Sequence, residues 1–399
     1  MTEATPFQVA YLPWADLPAE VRIGPVRFLP LATWLAECPP DEPHRRFWKR
    51  YERCHVGADG KPLKTLACVV VDGEPFGVLR PAVQVWIQRA CDALVAAHFF
   101  AGYATRALPE NRRSGGIPIA YPDRFQLAIK NYRPADRHAT ITAGNLSSLW
   151  ELRTLRIQRP HHVCGGWCVE PDTSLFASLG KLVQRAPTNP EVNGLWSALS
   201  WLRYAFGGGD AVTNEARVVM MTTAFEHLLA PEKGKVLRLA AQGKASHQAP
   251  RKKSKPRGGE VSKAWGALVR EWLVHEDLLK VRHRFSERIR PGIYLPQQWF
   301  LRFFDLRSAI VHGGHLKVRG GTYRGHPHLL LAGLFLWMGV RAKLTERGLF
   351  PSSPKDPLRL AMKQMCETGW SKADALRHDL YHDCRRLYKA LGWLKRQDQ

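Results

Sequence analysis

Two residues set the chemical question. Arg307 and His312 stand five positions apart in the run FFDLRSAIVHGG, residues 303–314. A guanidinium keeps its proton and presents a planar fork of donors that matches phosphate oxygens. An imidazole ordinarily titrates near neutral pH and can take up or release a proton during a reaction. Together they suit chemistry that moves protons while negative charge builds on phosphorus. RNA offers such a reaction. Its own 2′-OH can attack the adjacent phosphate, which leaves proton transfer and charge stabilisation to a catalyst. One helix supplies one Arg and one His; two copies across a two-fold axis would supply both an acid and a base.

The element that must position the pair is a helix expected over residues 299–312. On a helical wheel Phe300, Phe303, Phe304, Leu306, Ile310 and Val311 share one broad arc, and Arg307 falls in its middle. A cation on a core-facing arc needs an acidic or polar partner. Glu226 is the candidate, because it sits inside a helix expected over 214–230 that is apolar nearly all round and therefore central. Gly313 and Gly314 suit a helix C-cap, so His312 stands at the negative end of its helix. The plainer alternative is a core ion pair between Arg307 and Glu226, with His312 merely finishing the helix.

With LRSAIVHGG around it, the spacing of Arg307 and His312 closely resembles the signature of HEPN ribonucleases, most of all the ApeA-like branch of bacterial defence proteins. The resemblance implies a helical bundle, a homodimer with two motifs facing each other, and metal-independent RNA cleavage without a cofactor. It makes Arg307 and His312 the catalytic pair. Ser308 fills the position after the Arg, and Glu226 matches an acidic position in the second helix of many such domains, where it would hold Arg307. The cut would leave a 2′,3′-cyclic phosphate and a 5′-OH. The alternative is a non-catalytic HEPN module that binds RNA or a partner protein. Such a module would bury Arg307 fully against Glu226 and leave His312 isolated.

Composition agrees with a polyanionic partner. The chain has 399 residues, 45% of them hydrophobic, which suffices for two domains with cores. Lys and Arg number 59 against 35 Asp and Glu, a formal charge of +24. So large an excess points to nucleic acid, though Arg enrichment from a GC-rich genome would also raise it. Eight cysteines are spread thinly, no secretory signal opens the chain, and the longest apolar run, 329–340, is too short to span a bilayer. A soluble cytoplasmic protein with reduced thiols is expected.

The chain is expected to be α+β, with a mixed N-terminal region over 1–190 that senses a trigger or restrains the nuclease. A HEPN-like all-α bundle over 191–350 and a basic helical tail over 351–399 follow. Strand-rich text fills residues 1–80, then one long helix runs over 81–108. Further strands are expected near 126–129, 138–141 and 152–157. Thr213 can cap the helix at 214. The stretch 243–263 is basic and rich in Pro and Gly, and reads as a disordered insertion. Its Lys252, Lys253, Lys255 and Arg257 make either a solvated linker or an arm for an RNA backbone. His315, with His326 and His328, would line an RNA groove if these are more than plain loop histidines.

Zinc is a weaker reading. His161, His162, Cys164 and Cys168 are the right ligand types at the wrong spacing, and a loop with buried cysteines explains them as well. His378 and His382 share a helix face but lack the Glu of a metalloprotease motif. A zinc-stabilised DNA-binding protein is the third functional reading. No phosphate-binding loop with Gly-Lys-Ser/Thr, dinucleotide Gly fingerprint or nucleophile elbow is present.

Overall fold

A computed structural model describes residues 7–37, 43–57, 59–75, 79–106, 121–132, 138–143, 146–160, 173–185, 189–207, 212–229, 295–312, 322–323 and 326–350. The chain is α+β and divides into two compact units. The first comprises 1–99, 119–185 and 206–211, and the second 100–118, 186–205 and 212–399. The second therefore takes in the segment 100–118 as well as most of the chain after Arg185.

The first unit is built on a five-stranded antiparallel sheet. Its strands are β1 (Phe7–Leu12), β2 (Val21–Ile23), β3 (Val26–Pro30), β5 (Ala67–Val71) and β6 (Ala128–Tyr132), in the order β2-β3-β5-β1-β6. β2 and β3 form a hairpin closed by Gly24 and Pro25, with Ile23 opposite Val26. Gly24 has φ +60°, and a Cβ there would lie 2.6 Å from the carbonyl oxygen of Gly180. Only glycine satisfies both the turn and that close approach. Tyr11, Cys68 and Leu29 stand side by side across the register on one face, and Ala10, Val69 and Phe28 on the other. All six are buried. A sheet covered on both faces gives continuous apolar text such as ACVVV rather than alternation.

Helices α1 (Leu31–Glu37) and α2 (Pro43–Glu52) cover the first face. Phe47, Trp48 and Tyr51 of α2 pack with Tyr11 and Trp34 into an aromatic cluster. Neither helix was expected from the sequence, which read residues 1–80 as strand-rich. β4 (His55–Val56) pairs in parallel with β9 (Ile157–Gln158), and β7 (His138–Ala143) with β8 (Leu146–Glu151) in a hairpin. The long helix α3 (Pro81–Arg106) matches its expected span, and α4 (Tyr121–Arg124) and α5 (Thr173–Gly180) are short. Arg89 of α3 is buried and donates to the carbonyls of Val183 (3.0 Å) and Arg185 (2.7 Å), which ties α3 to the segment after α5.

Two buried histidines make this unit acid-sensitive. His55 and His98 donate through Nδ1 to the carbonyls of Tyr51 (3.1 Å) and Leu94 (2.8 Å), and burial pushes both pKa values down to about 4. Unfolded His titrates near 6.5. Above that pH both are neutral in either state, so nothing is lost. As pH falls from about 6.5 towards 4 the unfolded chain takes up protons that the folded chain refuses, and stability drops. Each site should contribute a loss of about 2 kcal/mol between pH 7 and pH 5. Urea denaturation at the two pH values checks this, and His55→Gln/His98→Gln should flatten the dependence. An equally steep dependence in that variant would place the titrating groups elsewhere.

The described elements of the second unit are helical apart from a two-residue pair, β10 (Thr322–Tyr323) with β11 (His326–Pro327). α6 (Pro190–Phe206) is the first helix after Arg185 among the described residues. Asn189 caps it by accepting from the backbone N–H groups of Glu191 and Val192 at 3.1 Å each, and Pro190 follows at the first helical position. α7 (Asn214–Leu229) is capped as expected, with Thr213 Oγ1 accepting from Ala216 N at 3.2 Å. α6 and α7 cross closely: a Cβ on Gly194 would lie 2.6 Å from the carbonyl oxygen of His227. α8 (Leu295–Val311) and α9 (His328–Thr345) both pack on α7. No helix among the described residues is long and apolar enough to cross a membrane.

Candidate functional site

α8 has two halves with different surroundings. Its first half is locked by aromatic rings. Trp299 stacks on Phe303 (5.0 Å between centroids) and meets Phe335 of α9 at 4.7 Å, while Phe300 meets Phe225 of α7 edge-on at 5.2 Å. Trp299, Phe300 and Phe303 are fully buried and Phe304 nearly so. The last turns lie outside this grip. Leu306 and Ile310 are half-buried, Ser308 and Ala309 exposed, and Val311 is 53% exposed. The wheel put Ile310 and Val311 on the core-facing arc. That arc is buried only as far as Phe304, because every ring contact described for α8 falls on residues 299–304.

The motif occupies the open half. Arg307 is half-buried, not the buried cation expected, and its Nε is enclosed without a hydrogen-bond partner among the described residues. His312 is exposed, and its backbone N–H closes the last helical turn on the carbonyl of Ser308 at 3.1 Å. Five residues of helix separate Arg307 and His312 by about 7.5 Å along the axis and about 140° around it. Arg307 thus offers its fork at the boundary of the core, and His312 its ring to solvent.

The expected pairing of Arg307 with Glu226 does not occur. Glu226 lies on α7, half-buried, and forms no ion pair with Arg307. The sequence put each residue on an apolar helix. The packing of α7 on α8 runs through Phe225, Trp299 and Phe300, and this phase does not bring Glu226 onto Arg307. Glu226→Ala therefore strands no buried charge, and the change should cost under about 1 kcal/mol. Urea denaturation checks this; a loss of 3 kcal/mol or more would restore the ion pair.

His328 also departs from expectation. It opens α9, is buried, and stacks with Phe303 (5.7 Å) beside Trp299. Burial pushes its pKa down to about 4. It is a core residue and does not line a groove. His326 belongs to β11. His315, the basic residues Lys252, Lys253, Lys255 and Arg257, and the tail 351–399 lie outside the described residues, as do His161, His162, Cys164, Cys168, His378 and His382. Among the described residues no three His, Cys, Asp or Glu side chains are grouped to hold a metal ion, and Cys54, Cys68 and Cys91 are buried. Burial pushes the Cys54 thiol up to about 11, so it is no nucleophile. The sequence did not single out Trp299 as the ring that fixes the motif helix, although its spacing from Phe303 carried the signal.

Comparison of the chain with protein-family models, with curated proteins and with solved structures finds no match to any of them.

Proposed function

We propose that the second unit is a HEPN-type helical bundle and that the protein is a metal-independent endoribonuclease, acting in the cytoplasm as an anti-phage effector or toxin. One observation carries the reading: Arg307 is free of Glu226 while His312 stands exposed at the end of the same helix. The missing pair sets aside the holding role that the resemblance gave Glu226, but a binding module that used the motif only as scaffold would have buried Arg307 fully against that acid. Here Glu226 does not occupy the guanidinium, which is left for a phosphate to engage.

In the proposed reaction the 2′-oxygen of RNA attacks the adjacent phosphorus, and His312 of one copy accepts the 2′-OH proton. Arg307 donates to the phosphate oxygens as charge builds on them. The P–O5′ bond breaks, and the 5′-oxygen takes a proton from His312 of a second copy. The products are a 2′,3′-cyclic phosphate and a 5′-OH. The apolar surface left by half-buried Leu306 and Ile310 and exposed Val311 supports association of two copies at this end of α8. The test is incubation of the protein with total RNA in EDTA, comparing wild type with His312→Ala. Cleavage by wild type alone is the expected result. Cleavage that needs a divalent metal overturns the reading, and RNA binding without cleavage favours the non-catalytic module.

A further inference from the structure

The first unit carries a concentration of arginines of its own. An open cleft of about 650 Å³ lies between the end of α2 and the segment that joins β8 to β9. Arg50, on the last turn of α2, and Arg53, just beyond it, line one side. Arg153 and Arg156 line the other. Glu151 is the one acid among the described lining residues.

The two walls are fixed to each other. β4 and β9 pair in register, His55 with Ile157 and Val56 with Gln158. Ile157 N donates to the Cys54 carbonyl at 2.7 Å, and Arg159 N to that of Val56 at 2.9 Å. Cys54 Sγ adds a contact to the Leu152 carbonyl at 3.3 Å. On the second wall, the backbone N–H groups of Thr154 and Leu155 both donate to the Glu151 carbonyl, which holds Arg153 on a tight turn. Arg156 Nη1 donates to the Leu155 carbonyl at 2.9 Å, so its guanidinium is anchored at one nitrogen.

Among the described residues, none of the four arginines is in an ion pair. Glu52 lies within Coulombic reach of Arg53 and Lys64 but does not line the cleft. Arg50 alone has a structural explanation, since a cation in the last turn complements the helix dipole. That explanation does not extend to Arg153 and Arg156, which come from another segment about a hundred residues later in the chain. Like charges brought together without counter-charge repel, and they are retained where an anion uses them.

We propose that this cleft binds a small polyphosphorylated ligand, such as a nucleoside di- or triphosphate. Its volume falls in the range of small-molecule sites. Guanidinium forks match phosphate oxygens, and four of them against one carboxylate call for more than one phosphate. Val56, Pro62 and Leu152 give the lining apolar surface for a non-phosphate part. Among the described residues no aromatic ring lines the cleft, which therefore shows no stacking platform of the kind a single-strand nucleic-acid groove uses. The inference is independent of Arg307 and His312.

Titration calorimetry on the full chain tests it, with ATP, inorganic triphosphate, adenosine and a dT15 oligonucleotide as probes. Saturable one-to-one binding of ATP, and none of adenosine, is expected. Arg53→Glu/Arg153→Glu, which changes two exposed side chains, should weaken ATP binding at least tenfold. Binding of inorganic triphosphate as well as ATP would identify recognition through the phosphates alone, and binding of ATP without it a nucleotide site. Three results overturn the proposal: no saturable binding of ATP or triphosphate, an unchanged affinity in the double variant, or dT15 binding at these arginines that ATP does not displace.

Discussion

His312→Ala is expected to lower RNA cleavage by a factor of roughly a hundred to ten thousand, the range that a positioned acid–base group supplies. The fold should survive. His312 is exposed at the last turn of α8, and its side chain forms no described contact with the aromatic core. Thermal unfolding of the variant should therefore coincide with wild type, which separates loss of chemistry from loss of structure. Arg307→Lys should fall by a similar factor for another reason. An ammonium keeps the charge but lacks the planar fork. Because Glu226 does not hold Arg307, the variant should also stay folded, and rescue by Lys would reduce the residue to a point charge. Cleavage by His312→Ala at the wild-type rate would remove the imidazole from the reaction and with it the nuclease reading.

The helices around the motif were legible because periodicity is local. The expected span 214–230 meets α7 at Asn214–Leu229, and Thr213 caps it as read. Residues 299–312 meet α8 to within four residues at its start and one at its end. What periodicity cannot give is reach and phase. It put Ile310 and Val311 on the same arc as Phe300, but the neighbouring helices stop covering that arc at Phe304. It put Glu226 and Arg307 on apolar helices, but nothing in one helix fixes its rotation against another.

In the first unit the failure has a different cause. α2 reads PHRRFWKRYE, in which Phe47, Trp48 and Tyr51 are embedded among Arg and Lys, and the polar residues masked a helix whose aromatic face is fully buried. The arginine cleft was beyond sequence reasoning altogether. Arg53 and Arg153 are brought to one cleft by a parallel pair of two-residue strands, β4 with β9, which leaves no periodic trace.

The largest stability effect is expected at Trp299. It is fully buried, stacks on Phe303 at 5.0 Å, and meets Phe225 and Phe335 from the two helices that flank α8. Trp299→Ala removes the ring that all three helices share and leaves a cavity that rigid neighbours cannot fill, at a cost of about 3–5 kcal/mol. Against a total stability of about 5–15 kcal/mol, that is a large share, and it unfolds an appreciable fraction of the chain if the total lies near the low end. Trp299→Phe should cost less than half as much. Among the described residues the buried indole Nε1 has no hydrogen-bond partner, so phenylalanine gives up ring volume but also sheds an unsatisfied donor that costs about 1–3 kcal/mol. Urea denaturation of the two variants measures the difference. Trp299 lies about 20 Å along the helix from His312, too far to touch a bound phosphate. Trp299→Phe should therefore keep its RNA cleavage, and Trp299→Ala should lose it in step with the folded fraction. Equal destabilisation by the two substitutions would mean that the Trp299 N–H does have a partner and that its polar edge, as well as the stacked ring, holds the motif helix in place.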